Sequence, residues 1–241
     1  MSHFEELYYR VFKNVQEVNY YGNSSGSINI LNAHRTIDNT GSSYYGFEKI
    51  FIYNEQKKLF DEIPTFKGAI HNTKIDYVDE KIFTLSGLFP SFCLSYNKSG
   101  IPDLMISNDY KNVIEICPNS LFMTLAGFGS LSGEIDIYRL DTYEHIGNCK
   151  SVSASFIKWS SDSRYFITAV VSSKLKVDHY INIFRYNGEL VRTIDFKNSD
   201  LVNVLIMKSS NDRFDIKNIK INLENKKTDP SLLTQRKMTL D

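Results

Sequence analysis

The sequence has few cysteines, no long apolar run and no leader-like N-terminus. The three cysteines among 241 residues, Cys93, Cys117 and Cys149, form no CxxC pair. This number and spacing disfavour a disulfide framework or a zinc site and favour a reducing compartment. No apolar run approaches the roughly 18 residues that span a bilayer, and the first residues lack the basic and apolar regions of a signal peptide. We therefore expect a soluble, cytoplasmic protein with no membrane partner.

An excess of one charge is also missing. The 28 Lys and Arg residues balance 28 Asp and Glu residues, so the formal net charge is zero. Bulk charge therefore predicts no DNA partner, and an RNA contact would need a local basic patch. With five prolines and twelve glycines the chain is not of low complexity. Aromatic residues make up 13% of the chain, mostly Tyr and Phe, and this content favours strands.

Sequence signatures of catalysis are absent as well. The five histidines are dispersed, and none has metal-ligand spacing to another His or Cys. Gly127 and Gly129 are not followed by a helical pattern, so turn geometry explains them better than phosphate binding does. His179 follows Asp178, and we interpret it as a turn residue. We expect no catalytic residue, no cofactor and no metal.

Short strand-like segments separated by turns dominate the chain instead. Their groups repeat about every 40–45 residues with four strands each, which is the period of a propeller blade. Turn spacing alone would also fit a sandwich, but the repeat period favours an all-β propeller of four to five four-stranded blades, as a partial or small ring. The predicted strands are 28–33, 45–53 and 57–63; 69–77, 81–87, 91–96 and 103–107; 113–117, 122–127, 134–139 and 145–148; 154–159, 165–171, 180–186 and 190–195; then 202–207 and 214–223.

The two ends differ from the strand-rich middle. Ser2 and Glu5 have capping-box spacing, and an apolar stripe follows them, so a short N-terminal helix is predicted. The resulting organisation is an N-terminal helical segment at 1–17, propeller blades at 18–223 and a polar tail at 224–241. Because end blades expose their flanks, we expect the helix, the tail or a partner chain to cover one of them.

Four segments carry a family resemblance. Residues 40–46 read Thr-Gly-Ser-Ser-Tyr-Tyr-Gly, and residues 126–133 read Ala-Gly-Phe-Gly-Ser-Leu-Ser-Gly. Residues 159–169 read Trp-Ser-Ser-Asp-Ser-Arg-Tyr-Phe-Ile-Thr-Ala, and Leu-Lys-Val-Asp at 175–178 precedes Ile-Phe-Arg-Tyr-Asn-Gly at 183–188. In this order and spacing, the segments resemble the propeller of the eukaryotic translation initiation factor 2A family. Subunit b of initiation factor 3 has a related propeller.

The resemblance implies a non-enzymatic scaffold for translation initiation. Its implied partners are the small ribosomal subunit, initiator Met-tRNA, placed without GTP hydrolysis, and other initiation factors. The resemblance covers roughly residues 36–210. Family members carry further blades before this region and a basic, helical extension after it that is linked to mRNA binding, and we expect both to be lacking here.

Four cations in the fourth group are the candidate RNA or ribosome contacts: Lys158, Arg164, Lys174 and Lys176. Lys174 and Lys176 alternate, so one strand would present both on one face. The alternative is a solvated face with Asp178 in a local ion pair. Trp159 is expected to anchor a blade core rather than to stack on a base. Two other functions stay open: a protein-interaction scaffold without RNA contact, and an enzyme whose acidic and His residues converge at a channel mouth.

Overall fold

The computed structural model describes residues 11, 15–22, 26–35, 47–171, 178–197 and 199–207. Several predicted features lie outside these residues: nearly all of the N-terminal helix, the segment at 40–46, Lys174 and Lys176, the strand at 214–223 and the tail at 224–241. The described residues form sixteen β-strands and no helix.

The strands are joined in chain order into four four-stranded antiparallel sheets. The first sheet contains β1 (Glu17–Gly22), β2 (Asn29–Arg35), β3 (Phe47–Asn54) and β4 (Leu59–Ile63), and the second contains β5 (Ala69–Asp76), β6 (Lys81–Gly87), β7 (Ser91–Tyr96) and β8 (Pro102–Asp109). The third contains β9 (Val113–Ile116), β10 (Phe122–Ala126), β11 (Glu134–Arg139) and β12 (His145–Lys150), and the fourth contains β13 (Phe156–Trp159), β14 (Tyr165–Ala169), β15 (His179–Arg185) and β16 (Leu190–Phe196).

These sheets are propeller blades, because each strand pairs with the next one along the chain. The predicted all-β propeller class is therefore confirmed, with four blades among the described residues. The chain separates into two compact units between Asn108 and Asp109. The first unit holds the first and second blades, and the second unit holds the third and fourth.

The first unit is held together by an aliphatic core between its two blades. Ile30, Ile50 and Ile63 of the first blade are buried in one cluster with Ile82 and Leu94 of the second. Strand β3 lies against β5. Burying such a side chain contributes about 1.5–3 kcal/mol, so this contact explains why the two blades fold as one unit.

The second unit has an aromatic core centred on Trp159. The Trp159 ring stacks 5.9 Å from Phe122 of the third blade and lies tilted 5.1 Å from Phe166 of its own blade. Phe166 in turn stacks on Phe184 at 5.2 Å. Trp159 is only 4% exposed, so its predicted role as a core anchor is confirmed.

The apolar runs at 121–126 and 165–171 predict inner strands that are buried on both faces, and they contain β10 and β14. Every residue of β10 is buried, as predicted. In β14, Phe166 and Thr168 are buried, but Tyr165 and Ile167 are only half-buried, so that prediction is wrong there. Successive side chains of β14 point to opposite faces of the sheet. Only one of these faces packs on the third blade, and the other is partly open to solvent.

Three other predictions are corrected by the structure. Strand β1 was missed, and residues 202–207 form no strand. His179 is not a turn residue: it begins β15 and is buried, and its Nδ1 lies 3.0 Å from the carbonyl oxygen of Val170. That contact ties the first residue of β15 to the chain just after β14, which a pattern of neighbouring residues does not reveal.

Two hairpin turns sit at matching places in the third and fourth blades, between their first and second strands. In each turn a serine adopts a left-handed conformation, Ser120 with a φ of 56° and Ser163 with a φ of 61°. Glycine favours this conformation because it has no Cβ. The Ser163 hydroxyl lies 3.3 Å from the backbone N–H of Asn119 and accepts its hydrogen bond, so the serine links the two turns.

Candidate RNA-contact surface

Lys158 lies in the middle of β13 and reaches the first strand of the neighbouring blade. Its Nζ is 2.8 Å from Oε1 of Glu115, whose side chain is almost fully buried. Strands β9 and β13 contact each other, so this ion pair bridges two blades. The charge of Lys158 is therefore already matched by a carboxylate.

Arg164 closes the turn between β13 and β14. Its Nε donates to Oδ2 of Asp162 at 2.8 Å, and its backbone N–H donates to Oδ1 of the same carboxylate at 3.1 Å. Burial alone would raise the pKa of Asp162, but hydrogen bonds from Ser160 and Arg164 outweigh it and lower the pKa. Asp162 is thus ionised at neutral pH, and Arg164 is also a paired cation.

Lys174 and Lys176 belong to the connection between β14 and β15. Val171 and Asp178, the described residues that flank this connection, lie at the far end of β14 from Arg164. A strand rises about 3.3 Å per residue, so the two ends of five-residue β14 are roughly 15 Å apart. The structure therefore does not bring Arg164 next to the residues that flank the lysine pair.

Most described cations share this pairing. Carboxylates contact Lys49, Lys57 and Lys98 in the first unit and Arg139 and Arg185 in the second. Within the described ranges, four cations make neither an ion pair nor a side-chain hydrogen bond: Lys58, Lys67, Arg192 and Lys197. Most cations of the described residues are therefore neutralised locally by a nearby carboxylate.

The Ala-Gly-Phe-Gly segment forms the loop between β10 and β11. The Asn112 side chain fixes this loop with two hydrogen bonds. Its Oδ1 accepts from the backbone N–H of Phe128 at 2.8 Å, and its Nδ2 donates to the Phe128 carbonyl oxygen at 3.0 Å. A Cβ on Gly127 would overlap the carbonyl oxygen of Tyr110, and one on Gly133 would overlap that of Ser151. Both glycines permit close backbone packing. For Gly127 this was predicted, whereas Gly129, the other glycine of that prediction, meets no atom within 4 Å and shows only the turn geometry, with a φ of 73°.

The Tyr-Asn-Gly segment also has a packing role. It forms the turn between β15 and β16 and docks on β12 of the third blade. A Cβ on Gly147 would overlap the carbonyl oxygen of Asn187, and one on Gly188 would lie 2.6 Å from the carbonyl oxygen of Asn148. The Tyr186 ring stacks 5.0 Å from Phe122. This motif thus fastens the fourth blade to the third.

The family is decided by a match along most of the chain. The family model described as Eukaryotic translation initiation factor eIF2A matches residues 10–204. The chain belongs to the eukaryotic translation initiation factor 2A family. Initiation factor 2A of Dictyostelium discoideum is 28% identical over 180 residues, which are 75% of this chain and 29% of that protein. The Saccharomyces cerevisiae factor is 24% identical over 182 residues, which are 73% of this chain and 28% of that protein.

The solved structures agree on the fold. A protein described as a eukaryotic initiation factor aligns with a TM-score of 0.67 at 22% identity, covering 78% of this chain and 45% of that one. The resemblance to the initiation factor 2A family predicted from four segments is confirmed. This chain spans less than a third of the length of the two curated relatives.

Sequence reasoning missed a charged cluster around a buried lysine in this family member. Lys111 has a side chain only 2% exposed, and its Nζ lies 2.9 Å from Oδ2 of Asp136. His145 Nε2 lies 3.2 Å from Oδ1 of the same carboxylate. Burial would raise the pKa of Asp136, but the hydrogen bonds from His145 and Lys111 outweigh it and lower the pKa. A lysine two residues before a strand gives no local signal of burial, so sequence alone could not identify it.

Two further observations limit the chemistry of the described residues. No group of three or more His, Cys, Asp and Glu side chains there could hold a metal ion. No helix in that part of the chain is long and apolar enough to cross a membrane.

Proposed function

We propose that this protein is a non-enzymatic translation initiation factor that binds the small ribosomal subunit and helps to place initiator Met-tRNA without GTP hydrolysis. The observation that carries this proposal is the initiation factor 2A family match, which runs through both structural units. Other initiation factors are further proposed partners, and the cytoplasm is the proposed location.

The geometry of the described residues supports a scaffold role. Gly127, which together with Gly129 could suggest a nucleotide loop, is instead packed against the carbonyl oxygen of Tyr110. The turn at Gly188 likewise serves to join blades. A rigid pair of blades can hold loops in fixed positions, which is what recognition of a large RNA–protein particle requires.

Lys174 and Lys176 remain our proposed ribosome contacts in the fourth blade. Lys158 and Arg164 are weaker candidates, because each cation already makes a 2.8 Å ion pair whose carboxylate repels an approaching phosphate. Phosphate contacts by lysines release counterions and make binding sensitive to salt. The proposal therefore assigns most of the salt dependence to the lysine pair.

Sedimentation with purified small subunits across a salt series tests the proposal. The double variant Lys174→Glu and Lys176→Glu should bind more weakly than the wild type, and its log-affinity should fall less steeply with log salt. The matched control is Lys57→Glu and Lys58→Glu, an adjacent lysine pair between β3 and β4. Equal binding of all three proteins would exclude Lys174 and Lys176 as the contact, and no binding by the wild type would reject the function.

A second candidate is a protein-interaction scaffold that makes no RNA contact. The extensive pairing of cations with carboxylates in both units favours it. This candidate predicts that small-subunit binding changes little between low and moderate salt. It also predicts that purified ribosomal RNA does not compete.

A further inference from the structure

One end of the second blade combines exposed aromatic and apolar side chains with a free cation. It is formed by the chain that enters β5, at residues 64–68, and by the connection between β6 and β7, at residues 88–90. The two segments cross at Gly68 and Gly87, where a Cβ on Gly68 would lie 2.6 Å from the carbonyl carbon of Gly87. This close approach brings Lys67 and Leu88, the neighbours of the two glycines, to the same end of the sheet.

Two stacked ring pairs flank the crossing. Phe66 stacks on Phe92 with ring centroids 3.8 Å apart, and His71 stacks on Phe89 at 4.5 Å with only 14° between the planes. The imidazole is itself fixed, because its Nε2 lies 3.0 Å from the carbonyl oxygen of Gly87. Phe89 is thus supported by a ring whose orientation the backbone holds.

The supported ring remains open to solvent. Phe89 is 40% exposed, and its neighbour Leu88 is 54% exposed. Exposed apolar side chains that adjoin one another mark interaction sites more often than isolated ones do. An aromatic ring that a neighbour holds in place is suited to stacking, because little conformational freedom is lost on binding.

The charge at this end suits an anionic partner. Lys67 is exposed and, among the residues that the structure describes, makes neither an ion pair nor a side-chain hydrogen bond. A cation at the same end of the sheet as a supported aromatic ring supplies the two kinds of group, positive charge and stacking platform, with which proteins bind single-stranded nucleic acid.

We propose that this end of the second blade binds single-stranded RNA, with Phe89 stacking on an unpaired base and Lys67 contacting the adjoining phosphate. The inference extends the proposed function, because it names RNA as the chemical class that this surface contacts. It involves only residues of the first unit and is independent of Lys174 and Lys176.

Fluorescence anisotropy with labelled oligoadenylate of about 12 nucleotides, a length within the usual range for single-strand binding modules, tests the proposal. Phe89→Leu keeps an apolar side chain but removes the ring, and it should weaken binding about 5- to 150-fold. Phe89→Trp should bind at least as tightly as the wild type. Lys67→Ala should reduce the slope of log-affinity against log salt by about 0.7.

The chain offers a matched control for each change. Tyr77 is an exposed aromatic residue at the opposite end of the same sheet, and Lys58 is the other free lysine of the described first unit. Tyr77→Ala and Lys58→Ala should leave RNA affinity unchanged. Circular dichroism melts should show that every variant is folded, because all four side chains are exposed.

Three outcomes would overturn the proposal: no binding of oligoadenylate by the wild type, equal affinity of Phe89→Leu, or equal affinity for an abasic oligomer of the same length. Small-subunit sedimentation keeps the proposed function separate. If Phe89→Leu binds oligoadenylate normally while the wild type still sediments with subunits, this inference fails and the function stands. If Phe89→Asp loses subunits but Phe89→Leu keeps them, the surface contacts a ribosomal protein rather than RNA.

Discussion

Replacing Trp159 by alanine should destabilise the second unit more than any surface change. The indole fills the space between the third and fourth blades, with Phe122 on one side and Phe166 on the other. Alanine would remove both ring contacts and leave a cavity between blades that are also fastened at their turns. Such a site cannot collapse freely, so the lost contacts are not replaced.

The loss of unfolding free energy in Trp159→Ala comes from lost burial more than from a lost hydrogen bond. Emptying a buried aromatic site costs about 3–5 kcal/mol of unfolding free energy. The indole N–H donates to the carbonyl oxygen of Glu115 at 3.3 Å, but that oxygen also accepts from the Thr124 hydroxyl at 3.2 Å. The carbonyl therefore stays paired in the variant. Trp159→Phe, which retains a ring, should cost only about 1–2 kcal/mol, near the worth of one hydrogen bond and a small volume loss.

Urea unfolding followed by circular dichroism measures these differences without relying on the residue being changed. Because Trp159 is the single tryptophan, the fluorescence of the wild type reports its environment alone. Emission should be blue-shifted in the native protein and move to the red on unfolding. Red-shifted native emission, together with an alanine variant as stable as the wild type, would refute the core assignment and revive base stacking.

Three other changes test separate parts of the second unit. Gly147→Ala should lower the unfolding free energy by about 1–3 kcal/mol in urea titrations, because its Cβ would overlap the carbonyl oxygen of Asn187. A Cβ on Gly129 would meet no atom within 4 Å, so Gly129→Ala should lower it only by the backbone strain of about 1 kcal/mol. Lys111→Met should lower the unfolding free energy by about 1–3 kcal/mol at neutral pH, because Asp136 loses one partner but is partly exposed and keeps His145. The folded-state pKa of Asp136 is lowered, so its contribution to stability is present above the unfolded value of about 3.9 and is lost as pH falls through the folded value. The variant should therefore lose less stability on acidification than the wild type. Burial raises the pKa of Cys149 to about 12. A thiol reagent at pH 8 should therefore label no cysteine rapidly in the native protein and all three cysteines after unfolding. Rapid labelling of the native protein would contradict this burial.

Strand positions were predictable wherever turn residues bounded an apolar run. Strands β6, β7 and β11 were predicted with the bounds that the structure shows. Strand β1 was missed because its residues are mostly exposed or half-buried, so neither alternation nor a continuous apolar run marks it. It exists because β2 pairs with it along six residues. That pairing lies outside any local pattern.

The candidate site was less predictable than the fold, because its ion pairs join residues that are far apart in the sequence. Glu115 and Lys158 are 43 positions apart and meet only because the first strands of two blades lie together. Lys67 and Phe89 are likewise brought to one end of a sheet by the crossing at Gly68. A sequence pattern identifies cations and aromatic residues, but it does not show which cations are already neutralised.

The neutralised cations also affect how the protein discriminates among anions. A polyanion that approaches Lys158 or Arg164 also meets the carboxylate of Glu115 or Asp162, which lies 2.8 Å from the cation. That carboxylate repels the phosphates of a flexible RNA strand. A folded surface with a donor placed beside its phosphate can engage both members of the pair at once. The paired surface should therefore attract bulk nucleic acid less than unpaired cations would, and it should favour a partner that presents both charges in register.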